Sequence, residues 1–530
     1  MKRRSFLSAA AITAASGLIA PGILRAKDST TIRMISSGDL SVLDPLLSTA
    51  DVTRNAAFMV FDTLFGVDGS FQAQHQMLAG HVVEQDGLLW RLTLRDGLRF
   101  HDGEPVLARD AVASLKRWAK KDQFGKMLMN ATNELVAEGD KDIVFRLKTP
   151  FPRLPDALAK PLAYLPVIMP ERLALTDPSS AIPEYIGSGP FRFRPDEYTA
   201  GVFSAFERNA DYVPREDGKI EWTAGPKRVF IDRVEWVVQP DSSTAVAALQ
   251  AGEVDWWEAS SNDLHPILTR GGRIQIEPIN PLGSLQKMLV NHLYPPFDRP
   301  EMRRALWSAI NQADFMLAVN GANPAYSKTG VGFFAPQSPF ASDAGMEHLN
   351  SPRDLEAARR ALKEAGYNGE PLVTMAVSNV PLHRALAEVG TDMLRKVGLN
   401  LEVQTMDFST MVQRAPKKDP PTKGGWHISF TGSSGMNFFS PALHRDLSGA
   451  GADGPQAWDS NPELKRLTGE WFKANSLEEQ KSITREMQLQ AFDSVPYYPL
   501  GQSIQQSAYK NTIKDRVVGY TVFWNVKKEA

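Results

Sequence analysis

The chain has 530 residues, no cysteine, 59 Lys and Arg against 61 Asp and Glu, and an apolar fraction of 43%. That length exceeds one ordinary core, so two or three lobes of roughly 100 to 250 residues are expected. The missing cysteines exclude disulfides, thiolate metal sites, thiol nucleophiles and a lipidated cysteine, and a near-neutral chain without a basic tract excludes nucleic acid as a partner.

The chain opens "MKRRSFLSAAAITAASGLIAPGILRAKDST", a basic start, a short apolar run and a polar exit, which is the form of a signal peptide over residues 1–26. The apolar run from Phe6 to Ala20 is too short for a spanning helix, and no later segment approaches the length a membrane span needs. Arg3-Arg4 followed by Ser5-Phe6-Leu7 resembles the twin-arginine export signal. Cutting after Ala26 removes Lys2, Arg3, Arg4 and Arg25 and takes the formal net charge from −2 to −6. A diffusible periplasmic protein is expected.

After the leader, "TIRMISSGDLSVLDP" reads as a short strand and a polar loop ending at Asp44-Pro45. In "LLWRLTLRDGLRFHDG", Trp90, Leu92 and Leu94 alternate with Arg91, Thr93 and Arg95, and Asp96-Gly97 supplies a turn, predicting a hairpin. A helix beginning near Asp110 places Val112, Leu115 and Trp118 at helical spacing, and Ile143, Phe145 and Leu147 share one face of a strand. A strand ending at Pro240, a Ser/Thr cap, an apolar face at Val246 and Leu249 and a stop at Gly252 form a strand, helix, strand unit. Met302, Ala305, Leu306, Ala309 and Ile310 predict an amphipathic helix with Pro300 in its first turn. Ser351 and Asp354 match a capping box with Pro352 at the first helical position and Gly366 at the end. The strand "LVTMAVS", the helix "LHRALAEVGTDMLRKVG" and the strand "LNLEVQTMD" follow, an alternation that predicts a largely parallel sheet. No internal repeat or low-complexity segment is present.

Motifs for catalysis are missing. There is no G-x-x-x-x-G-K-[ST] loop, G-x-S-x-G elbow, H-E-x-x-H pair or EF-hand loop. Gly432-Ser433-Ser434-Gly435 lacks one residue of the elbow spacing. The nine histidines never fall at a metal-binding i, i+4 pair on a helix. His101-Asp102-Gly103 reads as turn chemistry, and Glu253 with Asp255 as a solvated edge. No metal, cofactor or catalytic residue is expected.

Several stretches taken together resemble the solute-binding proteins of the peptide, nickel and oligosaccharide type (family 5) that serve bacterial ABC importers. They are "LDP", "WRLTLRDGLRFHDGEPVLARDAV", "IGSGPFRF", "AALQAGEVD", "NHLYPPFDRPEMRRALWSAINQADF", "AARRALKEAGY" and "YYPL", in order from about residue 32 to 500. The resemblance implies an α/β, two-lobed periplasmic-binding-protein fold with a subdomain inserted in the first lobe. Lobe I is then expected at residues 30–60, 183–265 and 485–530, its insert at 61–182 and lobe II at 266–484. The implied function is capture of a small or medium organic solute between the lobes and delivery to a membrane ABC permease complex, by a monomer without enzymatic activity. Alternatives are a binder of longer peptides through their backbone and an exported hydrolase.

A swallowed ligand needs apolar and aromatic walls with a few placed polar groups, at strand ends facing the cleft. The expected ligand-binding residues are Ser37 and Asp39 after the first strand, Trp257 and Glu258 after "GEVD", Asn379 after "LVTMAVS", and Phe430, Ser433, Ser434 and Asn437 in "FTGSSGMNFFS". Consecutive Trp256 and Trp257 face opposite sides of a strand, so at most one lines the cleft. Dipeptide binders similar to this chain carry an acid in the loop matching "TGSSGMNFF" and an arginine after the strand matching "LVTMAVS". Here Ser433, Ser434 and Met436 stand in the first loop and Ser378-Asn379-Val380-Pro381 in the second, which disfavours a zwitterionic dipeptide.

Overall fold

A computed structural model describes residues 30–162 and 164–529, so the signal peptide and twin-arginine readings lie outside the described residues. Two large sheets organise the chain. The first runs, strand by neighbouring strand, through Phe191–Phe193, Phe203–Arg208, Arg233–Val237, Thr31–Ile35, Trp256–Trp257, Gln506–Lys510 and Ile274–Pro278. The second runs through Ser327–Lys328, Tyr498–Ser503, Ser284–Val290, Ile428–Ser434, Leu372–Val377 and Leu401–Met406.

Both sheets are mixed rather than largely parallel. Thr31–Ile35 is parallel to both of its neighbours, and Leu372–Val377 is parallel to both of its own. The strands that link the lobes pair antiparallel, because each passes directly into the opposite sheet without a crossover helix.

Sheet membership moves the expected lobe boundaries. Ile274–Pro278 lies in the stretch assigned to the second lobe but is hydrogen-bonded into the first sheet. Tyr498–Ser503 lies in the stretch assigned to the first lobe but belongs to the second sheet. The two connections therefore run side by side at residues 279–283 and 504–505, where the Ile279 N–H donates to the Gln505 carbonyl at 3.2 Å. Gly283 sits there with φ +50°, and a Cβ would stand 2.2 Å from the Ser503 carbonyl oxygen, so the crossing requires glycine.

A four-stranded sheet, Leu78–Glu84, Leu89–Leu94, Asp142–Leu147 and Thr132–Glu138 in spatial order, stands apart with the helix Ala108–Ala119. Trp90, Leu92 and Leu94 are buried as the alternation predicts. Leu89–Leu94 pairs with Leu78–Glu84 and Asp142–Leu147, and no strand follows Asp96-Gly97, so the expected hairpin at that turn is not formed.

Helix ends also shift. Asp241, rather than a Ser or Thr, caps Ser242–Ala251 by accepting from the Thr244 N–H at 2.7 Å, and Gly252 ends it with φ +85°. Asp354, not Ser351, caps Leu355–Glu364, accepting from the Ala357 N–H at 2.8 Å. The apolar stripe from Met302 to Ile310 is buried, but the helix breaks into Pro300–Arg304 and a 3-10 turn at Trp307–Ala309. Among the described residues no helix is long and apolar enough to cross a membrane.

Candidate functional site

The site is built where strands of both sheets end against each other. From the first lobe come the loop after Thr31–Ile35 and the residue after Trp256–Trp257. The Ser37 N–H donates to Glu258 Oε2 at 2.7 Å, and Asn55 Nδ2 donates to Glu258 Oε1 at 3.1 Å. Glu258 is buried and has no ion-pair partner among the described residues. Ser37 is exposed and Asp39 half-buried, and burial, with a smaller contribution from the Asp39 charge, raises the Tyr198 phenol.

From the second lobe comes the strand Ile428–Ser434. It pairs with Ser284–Val290 along its whole length, but with Leu372–Val377 only at Thr374↔Ile428 and Met375↔Ser429. The Gly435 N–H donates to the Gly283 carbonyl, and antiparallel ladders alternate. The backbone groups of Phe430, Gly432 and Ser434 therefore point to the side where, among the described residues, no strand pairs beyond Ser429. That is an open sheet edge inside the molecule. Gly432, Ser433, Ser434 and Asn437 are all half-exposed along it.

Aromatic contacts join the two lobes beside this edge. Phe71 meets Phe439 with ring centroids 4.0 Å apart and Trp222 at 4.5 Å. The Tyr520 hydroxyl donates to the Pro161 carbonyl at 2.9 Å and contacts Met436 Sδ at 3.3 Å. Further along the seam, His265 Nδ1 and the Tyr326 hydroxyl are 2.7 Å apart. They line a cavity of about 900 Å³ shared by both lobes, with Ser260, Asn320, Leu382 and Gln505 among its walls. Burial lowers the His265 imidazole, which keeps it neutral and leaves Asp263 as the cavity's one acidic wall residue.

The expected site residues divide. Ser37, Glu258, Ser433, Ser434 and Asn437 stand at strand ends or in the loops that follow them on the two facing lobes. Trp257 does not line the cleft: it is 6% exposed and packs with Ile35, Val246 and Leu249 on the outer side of the first sheet, while Trp256 faces the main core. Phe430 is 2% exposed, with its ring against Gly390 of the helix Pro381–Lys396, so only its backbone reaches the open edge. Asn379 is exposed and spends its carbonyl oxygen on the Phe408 N–H at 2.9 Å. Sequence reasoning missed Asn55, Phe71, Tyr326 and Tyr520, because each reaches the seam by long-range packing that leaves no local pattern. Among the described residues no cluster of His, Asp or Glu could hold a metal ion.

Comparison with known proteins places the fold. Residues 73–451 match the family model described as bacterial extracellular solute-binding proteins, family 5 Middle. The "Probable peptide ABC transporter periplasmic-binding protein" of Sinorhizobium fredii is 34% identical over 99% of both chains. A glutathione-binding protein of Pectobacterium atrosepticum is 26% identical over 93% of this chain and 92% of its own. Among solved structures, a dipeptide-binding protein of Pseudoalteromonas in complex with Met-Leu superposes with a TM-score of 0.76 at 20% identity, over 94% of this chain and all of that one. An agropinic acid complex from Agrobacterium tumefaciens gives 0.76 at 21%, over 94% and 99%.

Proposed function

The chain belongs to family 5 of the bacterial extracellular solute-binding proteins, and from that premise we propose that its ligand is a peptide-like molecule recognised mainly through its backbone. The family fixes the broader role: the protein is the non-enzymatic solute-binding component of an ABC importer. The observation that carries the finer reading is the open edge at Phe430, Gly432 and Ser434, which can take an extended ligand as an added strand. The shared seam beside it, with its neutral histidine, amides and hydroxyls, suits side chains of varied type. The protein acts as a monomer between an inner-membrane permease and the periplasm, and the Arg3-Arg4 leader supports export in folded form. The first lobe is assigned residues 30–60, 183–278 and 506–529, the insert 61–182, and the second lobe 284–503. Domain closure traps the ligand only through contacts made better in the closed state.

The test is Ser434→Pro. Ser434 has φ −48° and ψ 137°, a conformation proline accepts, and its N–H points to the open edge rather than to Ser284–Val290. The variant should keep its stability within about 1 kcal/mol of wild type. It should bind a randomised tetrapeptide pool roughly tenfold more weakly, from the loss of one backbone hydrogen bond. Unchanged affinity measured by calorimetry would remove this edge from the site, and failure of the wild type to respond to any peptide would overturn the ligand class.

A further inference from the structure

Arg54 lies on the helix Asp51–Val60 with its side chain only 8% exposed, yet its donors find few acceptors. Nη1 donates to Asp51 Oδ1 at 2.8 Å, Nη2 reaches Asn55 Oδ1 at 3.4 Å, and the buried Nε–H has no acceptor. Asp51 is 61% exposed, so this single pair is weakened by water and does not offset the burial of a guanidinium. One face of Arg54 stacks on the Tyr520 ring, 4.9 Å from its centroid. Arg54 thus stands between two parts of the site. Through Asn55 it joins the Glu258 and Ser37 network. Through Tyr520 it joins Met436, in the turn Gly435–Phe438 that directly follows the open edge.

We propose that Arg54 is a specificity-determining residue of the cleft and holds a carboxylate of the ligand at the Ser434 end of the open edge. A guanidinium matches a carboxylate with two parallel N–H donors, and such pairs are charge-assisted and directional. Asp51 already places one carboxylate against the cation, which favours a singly charged ligand carboxylate over a phosphate dianion. The Tyr520 ring against the guanidinium limits its movement before the ligand arrives.

This inference rests on the peptide reading, and the experiment separates the two. Calorimetric titrations of the mature protein would use a tetrapeptide pool with free C-termini, the same pool amidated, an amidated pool with one position fixed as Glu, and a set of simple sugar acids. Wild type should prefer the free pool over the amidated one roughly ten- to a hundredfold, or recover that affinity in the Glu-containing pool if a side-chain carboxylate is the one held. Arg54→Gln should erase the preference for the free pool over the amidated one, and Arg54→Lys should restore part of it. Equal binding of every peptide pool by wild type, or equal weakening of all of them by Arg54→Gln, would overturn the proposal. A response to sugar acids alone, lost in Arg54→Gln, would retain Arg54's role and discard the peptide reading, and silence from every probe would discard both. If Arg54→Gln does not fold, the wild-type comparison and Arg54→Lys decide the matter.

Discussion

At the scale of single residues, buried ions explain why certain short motifs stand where they do. The "LDP" aspartate, Asp44, is fully buried and accepts from Arg117 Nη1 at 3.2 Å and Nη2 at 2.8 Å, from the Leu46 N–H at 3.1 Å and from the Ile182 N–H at 3.4 Å. It ties the loop after the first strand to the inserted helix Ala108–Ala119, and it touches none of the groups assigned to the ligand. Asp44→Asn leaves the Arg117 guanidinium buried beside a neutral partner, a change that costs about 3 to 5 kcal/mol. The expected outcome is a lower urea midpoint with peptide affinity unchanged, and a stability equal to wild type would show that water replaces the lost charge. Asp255 carries the same lesson in the opposite direction to expectation. Its spacing from Glu253 suggested a solvated edge, but its carboxylate is buried between Lys510 at 2.9 Å and Lys528 at 2.8 Å and also accepts the Arg33 N–H. Both lysines come from the last strands of the chain, so nothing local to residue 255 could announce them.

At the scale of elements, the strand Ile428–Ser434 and the helix Pro381–Lys396 show where sequence reasoning succeeds and stops. The 3.6-residue period of the helix was legible, because it depends on neighbours a few residues away, whereas Gly432, Ser433 and Ser434, expected in a loop, complete the strand Ile428–Ser434. The direction of Phe430 was not legible, since it depends on a small residue 40 positions earlier. Gly390 lies in the middle of a 16-residue helix, where glycine is unfavourable by about 1 kcal/mol relative to alanine. A Cβ there would stand 2.0 Å from the Phe430 ring, so the helix can lie on the strand only without one. Gly390→Ala is therefore expected to destabilise by about 1 to 3 kcal/mol in spite of its better helix propensity. Phe430→Leu in the same chain should recover part of the loss, and a double-mutant cycle in urea reads the coupling. Additive effects would mean that the ring is not what the glycine accommodates. The same dependence on distant partners hid the lobe crossings: Ile274–Pro278 and Tyr498–Ser503 look like ordinary strands, and only their pairing shows which sheet each one joins.

At the scale of the whole molecule, the balance of buried titratable groups sets a pH range for the folded state. His101 ties its turn to the segment before Phe191–Phe193, within 3.3 Å of the Gly187 N–H and 3.1 Å of the Gly189 carbonyl. His444 lies against the Phe333 carbonyl at 2.8 Å and the Tyr497 hydroxyl at 3.1 Å in the second lobe. Burial pushes each imidazole down to about 4, against roughly 6.5 in an unfolded chain. Below 6.5 the unfolded chain takes up protons that the native imidazoles refuse, so stability is full above that value and falls as the pH drops toward 4, by an amount on the order of 3 kcal/mol for each histidine. The carboxylates add to the loss at lower pH. Burial raises Asp446 and Asp255, but the ammonium groups of Lys287, and of Lys510 and Lys528, outweigh it and hold both below the usual range. Their stabilisation is present above about 3.9 and disappears beneath it. Urea denaturation at a series of pH values from 7.5 to 4 should therefore show a midpoint that declines steadily, starting near 6.5 rather than near 4. His101→Gln and His444→Gln should flatten the upper part of that decline while leaving the lower part in place. A midpoint constant down to pH 4.5 would mean that both imidazoles protonate within the fold, and that the two lobes yield enough to hydrate them.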